Sequence, residues 1–247
     1  MAFLTPDNVR YENGVKICEK IIPDSAVWNK NYTEGGYTYL RGTQYKANRA
    51  LTAMRGVTIH NTGRIKVPSG TTMAEQYTRA TYPNCNMGSV RVHYYVDENE
   101  AWQNLDEGEV GWHAADGNYG PGNSTTIAIE IIMDGTDAEY NRIAEDNGAR
   151  LCAAILKRHG LDETAVYQHH DWYARKDCPA YIRPHWSAFL TVVRQYLSDD
   201  TQVPSDYDKL VAELEEIKEK YRTEHASAQA LRGRILAAVE QYDTVAK

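Results

Sequence analysis

Hydrophobic positions along this chain change their period several times, and each change predicts an element. Val57, Thr58, Ile59 and His60 read as a strand closed by the turn formers Asn61, Thr62 and Gly63. A helix is expected over Thr72 to Ala80, then a loop from Tyr82 to Ser89 where Pro, Asn and Gly cluster. Arg91 to Val96 is β-branched and aromatic, turns at Asp97 to Asn99 and continues into Ala101, Trp102 and Gln103, the pattern of a hairpin. The stretch Asp116 to Ser124, with three glycines and a proline, reads as a loop. It feeds Thr126 to Ile132, an apolar run of the kind found in a central strand buried on both faces. A charged Glu130 in the middle of that run is its odd residue.

From Tyr140 to His159 the apolar residues Ile143, Leu151, Ala154 and Ile155 recur at helical spacing, and Gly160 supplies the stop. Val166 to Gln168 reads as a further strand ending at His169, and a last helix covers Trp186 to Leu197. This alternation predicts an α/β domain over residues 1–198, a mixed central sheet flanked by helices. Residues 1–50, rich in Tyr, Asn and Gly, read as an irregular wrap with one short element between Val15 and Ile22. A polar linker follows over 199–206. Beyond it, a 3.5-residue stripe running from Tyr207 through Leu210, Leu214, Ile217 and Tyr221 to Leu231 and Ile235 predicts a coiled-coil-like helix over 207–247. Only Glu224 breaks it. Self-association into a homodimer or higher oligomer is the expectation from that seam; the alternative is a helix folded back onto the first domain.

Composition narrows the function. The chain has 247 residues, 42% of them hydrophobic and 25% charged, which suits a globular protein, and a net charge of -7 gives no support to nucleic-acid binding. No window approaches a membrane span, so no membrane insertion is expected, and the start MAFLTPDNVRYENG has neither the basic nor the apolar region of an export signal. Cys18, Cys85, Cys152 and Cys178 are too widely spaced for a CxxC metal site or a disulfide framework.

Chemistry concentrates at the ends of the predicted elements. His60, the pair His169 and His170, and Cys178 offer imidazole and thiolate, the ligands that Zn²⁺ prefers, and three protein ligands leave a fourth tetrahedral position open. Any one of these histidines alone is more often a surface or hydrogen-bonded residue than a ligand. Their surroundings sharpen the picture: Ile59-His60-Asn61-Thr62-Gly63, Trp112-His113-Ala114, Ile127-Ala128-Ile129-Glu130-Ile131, His169-His170-Asp171-Trp172 and Lys176-Asp177-Cys178-Pro179 follow one another in that order. Glu130, a carboxylate on an apolar strand, is the candidate general base, because burial raises such a group toward neutrality; the competing reading is a paired structural carboxylate.

This series closely resembles the type 2 N-acetylmuramoyl-L-alanine amidases, which share a fold with peptidoglycan recognition proteins and amidase-type phage lysozymes. The resemblance covers roughly residues 50–197. It implies His60, the histidine of the His-x-Asp-Trp word and Cys178 as zinc ligands, and Lys176 as the cation over the developing oxyanion. His169 lies nine steps from Cys178 and His170 eight. The family's usual eight-step spacing favours His170, whereas the word and the strand end favour His169, which is the assignment taken. Val92 stands where some members carry a tyrosine, which shifts the general-base role onto Glu130. Trp112 and His113 are expected to line the substrate groove, and His93 to pack behind it.

The resemblance further implies hydrolysis of the bond between N-acetylmuramic acid and L-alanine in peptidoglycan. A non-catalytic peptidoglycan-binding module of the same fold is the rival; loss of the cysteine ligand commonly marks such binders, and Cys178 is present. Without a visible export signal, the expected course is synthesis in the cytoplasm and action on the cell wall after release, as for a phage or prophage endolysin.

Overall fold

Seven strands form one sheet in the order β1-β2-β7-β6-β8-β5-β9, and a separate hairpin pairs β3 with β4. In chain order the strands are β1 (Asn8–Glu12), β2 (Val15–Glu19), β3 (Tyr32–Glu34), β4 (Tyr37–Tyr39), β5 (Gly56–Thr62), β6 (Tyr94–Val96), β7 (Ala101–Gln103), β8 (Thr126–Ile132) and β9 (Val166–Gln168). The helices are α1 (Met73–Thr81), α2 (Pro121–Thr125), α3 (Ala138–Arg158), α4 (His169–Trp172) and α5 (Trp186–Ser198). This computed structural model describes residues 3–198 together with Lys220 and Tyr221. The chain divides into two compact units, Met1–Asp200 and Thr201–Lys247. Of the second unit only Lys220 and Tyr221 are described, both helical and exposed; the heptad stripe expected from Tyr207 otherwise lies outside the described residues.

The sheet is mixed, as expected. β5 runs parallel to both β8 and β9, β8 parallel to β6, and β2 parallel to β7, while β1–β2 and β6–β7 are antiparallel. The apolar run of β8 fills the centre because both of its faces are covered. Side chains alternate across a strand, so Ile127, Ile129 and Ile131 share one face, where Ile131 meets α3 at Gly148. A Cβ on Gly148 would come within 2.3 Å of Ile131 Cδ1, so glycine permits this close helix approach. Ala128 and Glu130 occupy the other face.

Helix starts follow their capping residues. Thr72 accepts a hydrogen bond from the Glu75 backbone N–H ahead of α1, and Asp137 from that of Tyr140 ahead of α3.

Two sequence expectations need correcting. The first fifty residues are not an irregular wrap with one element: they supply β1 and β2 to the main sheet and form the β3–β4 hairpin. Both hairpins turn on pairs of residues with positive φ, Asn13 (47°) with Gly14 (79°) and Gly35 (59°) with Gly36 (80°), which suit the tight twist of a two-residue turn. The loop from Asp116 to Ser124 also holds α2, which begins at Pro121, where a missing N–H costs nothing.

Below β3–β4 lies a second, smaller core of Ile22, Ala26, Trp28, Tyr45, Cys85 and Leu105. Trp28 is fully buried there, stacked 5.4 Å from Tyr32 and edge-on 4.8 Å from Tyr45. The Arg91 guanidinium lies 3.3 Å from the Tyr45 ring centre and donates to the carbonyls of Tyr45 and Gly88.

Candidate metal centre

Parallel strands present their carboxyl ends to a common crevice, and three of the sequence-predicted residues lie at such ends. His60 is near the end of β5, Glu130 stands opposite it in register on β8, and His169 begins α4 directly after β9. Cys178 arrives from the loop after α4. Ligand atoms of His60, His169 and Cys178 all lie within 4.8 Å of one another, and all three residues are buried.

His170 falls outside this group, and its contacts explain why. Its backbone N–H donates to the Cys178 carbonyl at 2.9 Å, and its Nδ1 lies 3.1 Å from the Lys176 carbonyl. It fastens the loop that carries Lys176 and Cys178 back onto α4, so its ring points into that loop while the His169 ring faces His60, 4.6 Å away between centres.

Each ring has a defined direction. His60 Nδ1 faces Cys178 Sγ at 3.8 Å and Glu130 Oε1 at 4.0 Å, while its Nε2 lies 3.1 Å from Nδ1 of His113. With His60 Nε2–H donating to His113, the lone pair of His60 Nδ1 is left facing the cluster, the arrangement by which a supporting residue fixes a ligand's tautomer. His113 is itself held in place by its chain, since Asn123 Oδ1 accepts from the backbone N–H groups of His113 and Ala114 at 2.7 and 2.8 Å. His113 thus lines the cleft and also braces a ligand, a second role absent from the sequence reading.

Electrostatics keep the imidazoles in the neutral form that can ligate. Burial, reinforced by neighbouring His113 and His169, holds protonation of His60 well below the ordinary histidine value. Burial and the Lys176 ammonium bring His169 down to about 4. Both imidazoles are therefore neutral near pH 7, as ligation requires. Burial and the Glu130 carboxylate push the Cys178 thiol up to about 11, so binding a cation there displaces a proton.

Unsatisfied atoms point the same way. Neither ring nitrogen of His169 has a hydrogen-bond partner, the Ala114 carbonyl approaching without bonding geometry, and Glu130 Oε2 is also buried and unpaired. Leaving such groups unpaired costs about 1–3 kcal/mol each, a cost that an ion at the shared focus of two nitrogens and one sulfur removes. The donor set fits a divalent cation of borderline softness.

Glu130 is poised beside the cluster. Burial pushes its carboxyl up to about 7, an effect only partly offset by Lys176. Lys176 is exposed and lines the same cleft, of about 890 Å³, as His113, His169 and Trp112. His93 lies behind this floor: its Nε2 donates to the Glu109 carbonyl at 2.9 Å and its Nδ1 accepts from the Ala128 N–H at 3.0 Å.

Residues 50–181 match a family model described as N-acetylmuramoyl-L-alanine amidase. The chain is 31% identical over 134 residues to the N-acetylmuramoyl-L-alanine amidase CwlH of Bacillus subtilis (strain 168), covering 54% of this chain and 50% of that relative. To XlyA, an amidase of the same organism, it is 30% identical over 148 residues, covering 60% and 46%. The chain thus spans about half the length of the curated relatives it matches. Among solved structures, the catalytic domain of XlyA aligns with a TM-score of 0.56 at 27% identity, covering 72% of this chain and 99% of that one. The solution structure of the PlyG catalytic domain aligns at 0.53 and 26%, covering 64% and 90%.

Proposed function

The chain belongs to the N-acetylmuramoyl-L-alanine amidase family, and from that premise we propose that it is a zinc amidase. Its reaction is hydrolysis of the amide joining the lactyl group of N-acetylmuramic acid to L-alanine in bacterial peptidoglycan. The observation that carries this reading is the convergence of His60, His169 and Cys178 on one point, with a buried carboxylate beside them.

His60 through Nδ1, His169 and Cys178 are the residues that would hold the ion. When bound, Zn²⁺ supplies Lewis acidity to the scissile carbonyl and lowers the pKa of water, as such sites do. His113 keeps the His60 lone pair aimed inward, and Asn123 keeps His113 in place. Glu130, near neutrality in its half-apolar surroundings, takes a proton from the attacking water and returns it to the leaving amine of L-alanine. Lys176, the one Lys or Arg among the residues lining the cleft, offers its ammonium to the carbonyl oxygen as negative charge develops there. Trp112, also at the cleft and fixed through its indole N–H to Asn118, borders the substrate path.

Such a substrate places the reaction in the cell wall, outside the cytoplasmic membrane, as for an endolysin; among the described residues no helix is long and apolar enough to cross a membrane. Residues 1–198 form the catalytic part of this proposal, 199–206 a linker, and 207–247 a self-association or wall-targeting element; light scattering on the full chain and on a version ending at Asp199 separates the two, since equal masses exclude assembly through it.

Glu130→Gln keeps the shape of the side chain and removes its basicity. Release of new amino termini from purified cell walls is expected to fall by about 10²–10⁴-fold, with zinc content unchanged. Unimpaired release in that variant refutes the role given to Glu130.

A further inference from the structure

The cleft extends well beyond the metal centre. From His169, His113 and Lys176 it runs to the β3–β4 hairpin, where Tyr37, Tyr39 and Leu40 form its far wall. That hairpin lies N-terminal to residues 50–181, the stretch matched by the family model.

The wall is built rigidly. Buried Trp28 packs 5.1 Å from Tyr39, and Tyr39 in turn meets Tyr37 edge-on with ring centres 4.8 Å apart. Arg91 closes the other end of this series over Tyr45 and Trp28. Glu34 accepts from the Ser89 N–H and hydroxyl, tying the hairpin to the loop before β6. At the end of the chain of rings Tyr37 is 64% exposed and Leu40 55%. Every ring behind Tyr37 has an aromatic neighbour on its inner side; only Tyr37 turns most of its surface to the open cleft.

Charge decides between the two halves of the substrate. A stem peptide ends in carboxylate, for which a cation is the strongest partner, yet among the described residues that line the cleft Lys176 is the one Lys or Arg and it sits at the metal centre. Around the hairpin the lining consists of aromatic rings, hydroxyls of Thr38 and Thr43, the Gln44 amide and the Glu34 carboxylate. A neutral amino-sugar ring has apolar C–H faces to set on a tyrosine and a rim of hydroxyl and acetamido groups for such partners.

We propose that the β3–β4 hairpin is a glycan-binding wall, on which Tyr37, backed by Tyr39, packs a hexosamine ring of the strand whose stem is cut at the metal centre. This inference rests on the amidase reading for the identity of the glycan, but not on turnover for its test. The full chain and its Tyr37→Ala and Tyr37→Trp variants are titrated by calorimetry with a β-1,4-linked N-acetylglucosamine tetramer and, separately, with a free L-alanyl stem peptide. Tyr37 is mostly exposed, so neither variant threatens the fold.

The expected result is that Tyr37→Ala weakens tetramer binding about fivefold to tenfold, the scale of one aromatic packing contact, that Tyr37→Trp retains it, and that stem-peptide binding does not change. The proposal is overturned by tetramer binding equal in the wild type and Tyr37→Ala, by a wild type that does not bind the tetramer, or by a loss confined to the stem peptide. Tyr37-dependent tetramer binding in a protein that frees no amino termini from cell walls sinks the amidase reading and leaves the glycan wall standing.

Discussion

The floor of the cleft and its far wall are built on opposite terms. On the floor, His60 and Glu130 on the parallel strands β5 and β8 meet His169, which begins α4 directly after β9, and buried nitrogen and oxygen atoms are left without partners. In the wall, Trp28, Tyr39 and Tyr45 interlock ring against ring around a mostly apolar centre, in which Trp28 Nε1 is buried and unpaired among aromatic neighbours. The floor holds polar groups in an arrangement that folding alone does not reward, which marks it as made for something that binds. The wall is held by ring packing that folding does reward, and that packing presents the exposed face of Tyr37 to the cleft.

That contrast can be broken by experiment. Trp28→Ala removes a fully buried indole from the small core and is expected to cost about 3–5 kcal/mol in chemical denaturation, while zinc stoichiometry stays as in the wild type. Loss of the metal in that variant would show that floor and wall are one structure, against the present view.

Behind the floor, His93 gives a pH signature. Burial holds its folded-state pKa at about 4 even though the Glu109 carbonyl and the carboxylates of Glu107 and Asp106 favour its charged form. Protonation would put a second N–H against the Ala128 donor. In the unfolded chain a histidine titrates near 6.5. Above that pH both states are neutral and the stability is complete; as pH falls from about 6.5 toward about 4 the unfolded chain takes up a proton that the folded one refuses, and up to about 3 kcal/mol is lost. Denaturation midpoints across that range, compared with those of His93→Gln, measure it; a variant with the same pH slope contradicts the assignment.

The smallest effect is expected at His169. In chelator-treated protein His169→Ala removes a ring whose two nitrogens are unpaired, so its cost should stay under about 1 kcal/mol, because the relieved desolvation offsets the lost packing. A cost like that of Trp28→Ala would mean that the ring is structural.

Much of this was readable from residues that break a local pattern. Glu130 stood out because a charge in the run Thr126 to Ile132 contradicts a buried strand, and His60 because a strand end aims a side chain into a crevice. Between His169 and His170 the strand end favours His169, and the geometry follows the same logic: the residue directly after β9 faces the cluster, and its neighbour clamps the loop.

Within the first fifty residues the apolar pattern marks the element at Val15 to Ile22, which is β2, but not β1 or the β3–β4 hairpin; β1 is nowhere fully buried and so shows no apolar alternation. Its signal lay instead in the turn, Asn13-Gly14, and that of β3–β4 in Gly35-Gly36, both of which favour tight hairpins. The His60–His113 contact had no such signal, since 53 residues separate the partners and only folding brings them together.

Zinc content of the full chain and of Cys178→Ala, each purified without chelator and dialysed against a small excess of zinc, tests the central claim most directly. One tightly held equivalent in the wild type and none in the variant is the predicted result. A wild type that retains no zinc, or a variant that retains as much as the wild type, contradicts it.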